Sequence, residues 1–149
     1  MKIKSGKILV VDDSEYILRT INQLLKYECE SVTSIKNPNQ IHGILSKESF
    51  DLVLLDMNFK AGINTGNEGL FWLEEILKMD KTATVIMITA YGDIELAVKA
   101  IKKGATDFIT KPWDAEKFKT TVLNAIKLSK SKRKNEILEV RQEQLNKEI

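Results

Sequence analysis

The stretch Ile8-Leu9-Val10-Val11-Asp12-Asp13 decides the fold, because a short apolar run there ends in two adjacent carboxylates. Apolar runs of this length, bounded by polar residues, are typical of parallel strands that helices cover on both faces. Comparable runs occupy residues 52–55, 85–88 and 108–109, and helical patterns separate them. The chain therefore predicts a sheet built from alternating strands and helices.

Strand and helix patterns alternate five times along the chain. The predicted strands cover residues 8–11, 31–35, 51–55, 84–88 and 106–109. The second strand is the least apolar and is expected near an edge. Five such units joined by short links predict an α/β fold with a five-stranded, doubly wound parallel sheet of the flavodoxin-like type and right-handed crossovers.

The helix starts carry recognisable signals. The expected first positions are marked by Ser14, by Asn37-Pro38, by Asp93 and by Asp114. A glycine-containing loop at residues 58–69 precedes the third helix. The apolar positions of the fourth helix, at helical spacing, are Ile94, Ala97, Val98 and Ile101.

Polar residues that can handle a phosphate group come directly after four of the strands. They are Asp12 and Asp13, Asp56, Thr89 and Lys111. The carboxyl ends of parallel strands meet at one edge of a sheet, and open α/β sheets bind their ligands there. These five side chains are therefore predicted to share one pocket.

Three carboxylates in one pocket, from Asp12, Asp13 and Asp56, repel each other unless one is protonated or a cation is bound. Mg²⁺ prefers carboxylate oxygens together with water and phosphate oxygens, so a Mg²⁺ site is the more economical interpretation. An acidic helix N-terminus, favoured by the helix dipole, is the alternative explanation for Asp12 and Asp13. It does not account for Asp56.

A carboxylate such as Asp56 can act as a nucleophile and hold a phosphoryl group if neighbouring groups neutralise the developing charge. Lys111 and Thr89 supply an ammonium and a hydroxyl for this purpose. Neither a G-x-x-x-x-G-K-[ST] loop nor a G-x-G-x-x-G turn follows a strand. Two acids after the first strand would also repel a cofactor phosphate, which argues against a flavin- or nucleotide-binding protein on this fold.

Composition argues against several other classes of protein. Cys29 is the single cysteine and His42 the single histidine, so neither an internal disulfide nor a thiolate metal site can form, and a Ser-His-Asp triad would depend on His42 alone. No run approaches the ~20 apolar residues of a membrane span, and a cytoplasmic protein is expected. Residues 127–149 carry 7 Lys/Arg and 4 Asp/Glu while the body is almost neutral, which is only a weak argument for nucleic acid as the main partner.

Five ordered motifs make the chain resemble a bacterial two-component response regulator receiver domain over residues 7–127. They are Leu9-Val10-Val11-Asp12-Asp13, Leu54-Leu55-Asp56-Met57-Asn58, Ile88-Thr89-Ala90, Gly104-Ala105-Thr106-Asp107-Phe108 and Lys111-Pro112-Trp113. The segments around Thr89 and Lys111 are most similar to receivers of NtrC-type, sigma-54-dependent transcriptional activators. Residues 1–127 are expected to form the receiver domain and residues 128–149 a helical linker or tail.

The resemblance implies a role for each pocket residue. Asp56 would accept a phosphoryl group from a sensor histidine kinase, and Thr89 and Lys111 would each contact one of its oxygens. Asp13, Asp56 and the main-chain carbonyl of Asn58 would bind Mg²⁺, with Asp12 acting through a water. The chain would thus be a signalling switch that catalyses only its own phosphorylation and dephosphorylation.

The same resemblance implies how the signal leaves the pocket. Thr89 and Phe108 would move together and remodel the surface of the fourth helix, fifth strand and fifth helix. The Lys111-Pro112 bond would be cis, which aims the lysine into the pocket. The remodelled surface is expected to act through formation of a homodimer. Contact with DNA would come only from domains absent from this chain.

Three departures from the family pattern accompany these expectations. The loop after Asp56 is longer than usual, so Gly69-Leu70 comes later and the start of the third helix is in question. Phe108 lacks a hydroxyl, so packing alone would hold its inward state. The ATPase and DNA-binding domains of such relatives are missing, so the chain is either a fragment or a stand-alone receiver.

Alternatives stay open for the tail and for the function. No Gly or Pro interrupts residues 115–149, which predicts an extended last helix. This helix is either a solvated linker or a dimer-forming helix, and contact of its basic run with nucleic acid is a third and weaker alternative. A receiver-like interaction module that is not phosphorylated is the second candidate function. A Mg²⁺-dependent phosphatase is the third, although it would need a dedicated general acid or base.

Overall fold

A computed structural model describes residues 6–57, 67–90 and 92–147 of the chain. The strands are β1 (Lys7–Val11), β2 (Ser31–Ile35), β3 (Leu52–Asp56), β4 (Val85–Ala90) and β5 (Asp107–Lys111). The helices are α1 (Glu15–Leu25), α2 (Ile41–Lys47), α3 (Asn67–Met79), α4 (Ile94–Lys102) and α5 (Ala115–Lys147).

The five strands form one parallel sheet in the order β2-β1-β3-β4-β5, which confirms the predicted doubly wound fold. β2 lies at an edge, as its less apolar sequence indicated. The register pairs Val11 of β1 with Leu55 of β3, Asp56 of β3 with Ile88 of β4, and Ala90 of β4 with Lys111 of β5. This stepwise pairing aligns the carboxyl ends of β1, β3, β4 and β5 along one side of the sheet.

Alternate residues of the strands enter two separate hydrophobic cores, because side chains of a strand point to opposite faces. One core joins the sheet to α1 and α5, and the other joins it to α2, α3 and α4. Leu54 belongs to the first core and Leu55 to the second, and both are fully buried. Helices on both faces explain why the central strands β1, β3 and β4 are apolar over most of their length.

The predicted starts of α1, α4 and α5 are confirmed, because these helices begin directly after Ser14, Asp93 and Asp114. The Ser14 hydroxyl accepts the N–H of Ile17, and the Asp114 carboxylate accepts the N–H of Lys117. Asn37-Pro38 does not open α2 directly. It begins a short 3-10 turn at Pro38–Gln40, capped by the Asn37 side chain, and α2 follows from Ile41.

The predicted apolar face of α4 is only partly buried. Ala97 is buried as expected, and Ala100 takes the second core position. Ile94, Val98 and Ile101 are exposed by 66%, 44% and 41%. The core side of α4 therefore consists of Ala97, Ala100 and the partly buried Leu96, while the other large aliphatic side chains lie at the surface.

The last helix runs without a break from Ala115 to Lys147, as the missing Gly and Pro predicted. Its buried face extends to Ser129, and Arg133 then donates to the Asp51 carboxylate at 2.9 Å and to the main-chain oxygen of Phe50. Asp51 also accepts the N–H of Lys7 at 2.8 Å. We call this contact of Arg133 with Asp51 and Phe50 the Arg133 clamp. The expected boundary between a receiver domain at residues 1–127 and a tail at residues 128–149 stays a prediction.

Past the clamp, the described side chains of residues 134–146 are exposed. They include the large apolar residues Ile137, Leu138, Val140 and Leu145, each at least half exposed. Across the described part of the chain, none of the helices combines the length and hydropathy required to span a membrane.

Candidate functional site

The predicted pocket residues lie at the aligned strand ends. Asp12 follows β1, Asp56 ends β3, Thr89 lies near the end of β4 and Lys111 ends β5. The side chains of Asp12 and Thr89 are inaccessible to solvent, and Asp56 is 5% exposed. Asp13 is only half-buried and forms the outer side of the pocket. The parallel topology thus brings distant residues together as the sequence predicted.

Lys111 bridges two carboxylates from other strands. Its Nζ lies 3.2 Å from Oδ2 of Asp12 and 3.3 Å from Oδ1 of Asp56. The Lys111-Pro112 peptide bond that follows is cis, as predicted. Charge-assisted contacts of this kind are stronger where water is largely excluded, so Lys111 holds the two acids in a fixed arrangement.

Burial sets the protonation behaviour of Asp12. It raises the pKa of the carboxyl above its ordinary value, although the N–H of Ser14 and the ammonium of Lys111 both oppose the rise. Asp13 adds a smaller raising effect through repulsion. Oδ1 of Asp12 accepts the Ser14 N–H at 2.9 Å, and Oδ2 faces Lys111. Both oxygens of Asp12 therefore already have donors.

Lys111 responds in the opposite way to the same surroundings. Burial by itself lowers the pKa of its ammonium, but the attraction of Asp56 and Asp12 outweighs that effect. The net pKa of Lys111 is raised above its ordinary value. Lys111 is therefore a permanent cation at neutral pH.

Three carboxylates meet in this pocket beside Lys111. One oxygen each from Asp12, Asp13 and Asp56 lies within 4.8 Å of the others. One ammonium cannot balance three negative charges at this distance, and a hard divalent cation with oxygen ligands would complete the balance. The donor set of the pocket therefore fits Mg²⁺.

Thr89 supplies an unusual hydroxyl. Its Oγ1 is fully buried, and it has no hydrogen-bond partner within the described ranges of the chain. A buried hydroxyl without a partner costs free energy, about 1–3 kcal/mol by mutational measurements. Such a group is suited to a ligand oxygen that arrives later.

The two remaining implied residues, Asn58 and Phe108, have different outcomes. Asn58 lies outside the described residues. Phe108 is partly buried and packs against the core that contains α2, α3 and α4. Sequence reasoning overlooked that the N–H of Ser14 anchors Asp12, although a cap residue two positions after an acid was a visible signal.

The comparisons with known proteins agree with this geometry. The family model of the response regulator receiver domain matches residues 8–123. The chain is 34% identical over 122 residues to the response regulator protein PilR of Pseudomonas aeruginosa, which covers 82% of this chain and 26% of that protein. It is 36% identical over 128 residues to a putative response regulator, NtrX-like, of Rickettsia bellii, which covers 86% of this chain and 26% of that protein.

Solved structures give the same result. The N-terminal signal receiver domain of a two-component response regulator from Bacteroides fragilis is 44% identical, has a TM-score of 0.75, and covers 83% of this chain and 98% of its own. NtrX from Brucella abortus is 32% identical with a TM-score of 0.80, covering 90% of this chain but 29% of that one. The match to NtrX and PilR agrees with the predicted resemblance to NtrC-type receivers. The chain spans about a quarter of the length of these curated relatives, and it belongs to the family of response regulator receiver domains.

Proposed function

We propose that this receiver is a phosphorylation-dependent switch in which Asp56 accepts a phosphoryl group from a sensor histidine kinase. The observation that carries the proposal is the contact of Lys111 Nζ with Asp56 Oδ1 at 3.3 Å inside an acidic pocket. A carboxylate at the end of a buried strand, with a fixed cation beside it, has the surroundings that phosphoryl transfer requires.

In the proposed step, a carboxylate oxygen of Asp56 forms a bond to phosphorus as the bond from phosphorus to the donor histidine breaks. Lys111 stays close enough to pair with one phosphoryl oxygen. The unpartnered hydroxyl of Thr89 donates a hydrogen bond to another. Both groups stabilise charge that is greatest in the transition state, which is how such sites accelerate transfer.

Asp13, Asp56 and the main-chain carbonyl of Asn58 are the proposed Mg²⁺ ligands, and Asp12 acts through a water. The occupied oxygens of Asp12 support its indirect role, because Ser14 and Lys111 already donate to them. When bound, Mg²⁺ neutralises carboxylate and phosphoryl charge. The protein's own residues orient the nucleophile and keep bulk water away from it.

The proposed output is a change in the surface of α4, β5 and α5. Thr89 would turn towards the phosphoryl group and leave space that Phe108 fills by packing. The exposed aliphatic side chains of Ile94, Val98 and Ile101 support a homodimer through this surface, because they form an apolar strip next to β5. The apolar part of the exposed tail supports the same output.

Regulation of transcription in the cytoplasm is the proposed context. The curated relatives include a transcriptional regulatory protein, AlgB of Pseudomonas aeruginosa, which is 29% identical over 136 residues. We propose that residues 1–127 act as the receiver and residues 128–149 as the helical connection to effector parts, through which any contact with DNA would occur.

Incubation with Mg²⁺ and acetyl phosphate tests the proposal. Intact-mass and peptide mass spectrometry should find one hydroxylamine-sensitive phosphoryl group on Asp56. Asp56→Asn should remain unmodified, while Asp107→Asn, an exposed acid on β5, should be modified as the wild type is. A wild type that folds and binds Mg²⁺ but is never phosphorylated would favour the unphosphorylated interaction module instead.

A further inference from the structure

Gly69 contacts the backbone of Met57, the residue that follows Asp56. Its N–H donates to the main-chain oxygen of Met57 at 3.0 Å. This bond joins the end of β3 to the first turn of α3. It connects the two described parts of the chain on either side of residues 58–66.

The contact leaves no room for a side chain at position 69. A Cβ there would lie 2.6 Å from both Cα and the carbonyl oxygen of Met57, and 2.9 Å from the carbonyl carbon. All three are backbone atoms, which cannot rotate away as the end of a flexible side chain can. Gly104 differs in this respect, because a Cβ there would meet a terminal methyl of Leu77.

Neither the Met57 backbone nor the first turn of α3 can shift easily to make room. The N–H of Met57 is held by the main-chain oxygen of Ile88 at 3.0 Å, and the Met57 side chain is fully buried. α3 is fastened to the sheet by the buried side chains of Leu70 and Leu73. Any added atom at position 69 must therefore displace the peptide after Asp56 or lift the first turn of α3.

We propose that Gly69 is a positioning residue for Asp56, because its missing side chain lets α3 seat directly on the Met57 backbone and fix the direction of the carboxylate. This inference rests on the proposed function of Asp56. Displacements of about 1 Å can cost a reaction about a hundredfold, so even a small shift of Met57 should be visible in phosphoryl transfer. It should also weaken Mg²⁺ binding, because Asp56 is a proposed ligand.

Gly69→Ala tests the inference, and Gly43→Ala is the matched control. Gly43 also lies in a helix, but a Cβ there would meet no atom within 4 Å. We expect Gly69→Ala to lower the Mg²⁺ affinity measured by calorimetry and the rate of phosphorylation by acetyl phosphate at least tenfold. Amide NMR signals of Asp56, Met57 and Lys111 should shift, while Gly43→Ala should leave all three measurements unchanged.

A second pair of variants keeps the test valid if Gly69→Ala does not fold. Leu70→Ala loosens the first turn of α3 without adding an atom, and Ile76→Ala removes a buried side chain from the last turn. At similar loss of thermal stability, Leu70→Ala should weaken Mg²⁺ binding and Ile76→Ala should not. Equal Mg²⁺ affinity in both variants, or wild-type affinity in a folded Gly69→Ala, would overturn the inference.

The same experiments separate this inference from the proposed function. If the wild type binds Mg²⁺ but is not phosphorylated, the role of Asp56 as acceptor is wrong. The Mg²⁺ affinities and the NMR shifts then still decide whether Gly69 positions the carboxylate. If the wild type is phosphorylated and Gly69→Ala reacts at the same rate, only the role of Gly69 is wrong.

Discussion

Lys111 and Asp56 lie 55 positions apart in the chain, yet Nζ of the one is 3.3 Å from Oδ1 of the other. The lysine ends β5 and the aspartate ends β3, with β4 between them in the sheet. The pocket chemistry therefore depends on strand order as much as on residue identity.

Lys111→Met should reduce the free energy of unfolding by about 1–3 kcal/mol at neutral pH without Mg²⁺, because the buried carboxylates lose their cation. The pKa of Lys111 is raised in the folded protein: burial opposes the rise, and Asp56 and Asp12 outweigh it. Its stabilising effect is therefore present below the ordinary pKa of 10.5 and is lost as the pH rises through the folded-state pKa. Urea unfolding at neutral and alkaline pH measures the difference.

The control is Lys36→Met, which removes an exposed lysine paired with Glu15 on the surface. Water and salt screen an exposed pair of this kind, so this variant should stay close to the wild type in stability. Equal stability losses in the two variants would contradict a special role for Lys111.

Asp12→Asn should be more stable than the wild type at neutral pH without Mg²⁺. Burial raises the pKa of Asp12 above 3.8 despite the donors Ser14 and Lys111, so the ionised carboxylate destabilises the fold. For a raised folded-state pKa, the stability is present below 3.8 and is lost as the pH rises through the folded value. The advantage of the variant should therefore vanish at acidic pH, as thermal unfolding across a pH series will show. A variant less stable than wild type at neutral pH would contradict this.

Asp13→Ala should lower the affinity for Mg²⁺ at least tenfold and slow phosphorylation of Asp56 in parallel. The variant should fold normally, because Asp13 is half-buried and its removal relieves repulsion among three acids. Calorimetric titration with Mg²⁺ provides the measurement. Glu143→Ala removes an exposed acid from the tail and should not change the affinity; an unchanged affinity in Asp13→Ala itself would exclude this residue as a ligand.

Phosphorylation should change the dissociation constant of a homodimer. In the proposed switch, the phosphoryl group favours one of two conformations of the receiver, and it can shift self-association only if the two conformations differ in affinity for a second copy. Sedimentation of both forms over a concentration series measures the constant. Val98→Ser, on the exposed strip of α4, should weaken the dimer. Truncation after Lys134 keeps the Arg133 clamp and should reduce the difference between the two forms. Identical self-association with and without phosphate would mean that the switch reports to another protein.

Arg133→Met should release the tail from the sheet. It should also lower the free energy of unfolding of the protein by about 1–2 kcal/mol, because Asp51 and Phe50 lose a hydrogen-bond donor. Hydrogen exchange of the α5 amides beyond Ser129 should accelerate about tenfold as a result. Arg141→Met is the matched control, since it removes the same charge from an exposed position of the same helix. Equal exchange in both variants would show that the clamp does not hold the tail.

The alternating pattern of apolar runs and helical segments was sufficient to predict the fold. A strand such as Ile8–Val11 is apolar at every position, and only a sheet covered on both faces buries such a strand completely. Strand-end residues must then converge, so Asp12, Asp56, Thr89 and Lys111 could be placed in one pocket without coordinates. The uninterrupted composition of the last helix likewise predicted its length, because helix continuity is largely a local property.

Only the tertiary structure decided which side chains of a helix are buried and which contacts form between elements, because both depend on how the elements pack against each other. The packing of α4 on the sheet buries Ala97 and Ala100 and leaves Ile94 and Val98 exposed, which helical periodicity alone does not reveal. Ser14, a cap by its position, also donates its N–H to Asp12, because the turn after β1 folds back on the carboxylate.

Two contacts at the ends of β3 also could not be predicted from the sequence. Gly69 seats on the backbone of Met57, and Arg133 reaches Asp51 across 82 positions of the chain. Local sequence carries no sign of either contact, because each partner is specified by the packing of a different helix against the strand. The sequence by itself therefore determined which elements form and which chemistry meets at the edge of the sheet. Only the packing of the helices decided how closely each approaches, which side chains remain exposed, and where the tail is fastened.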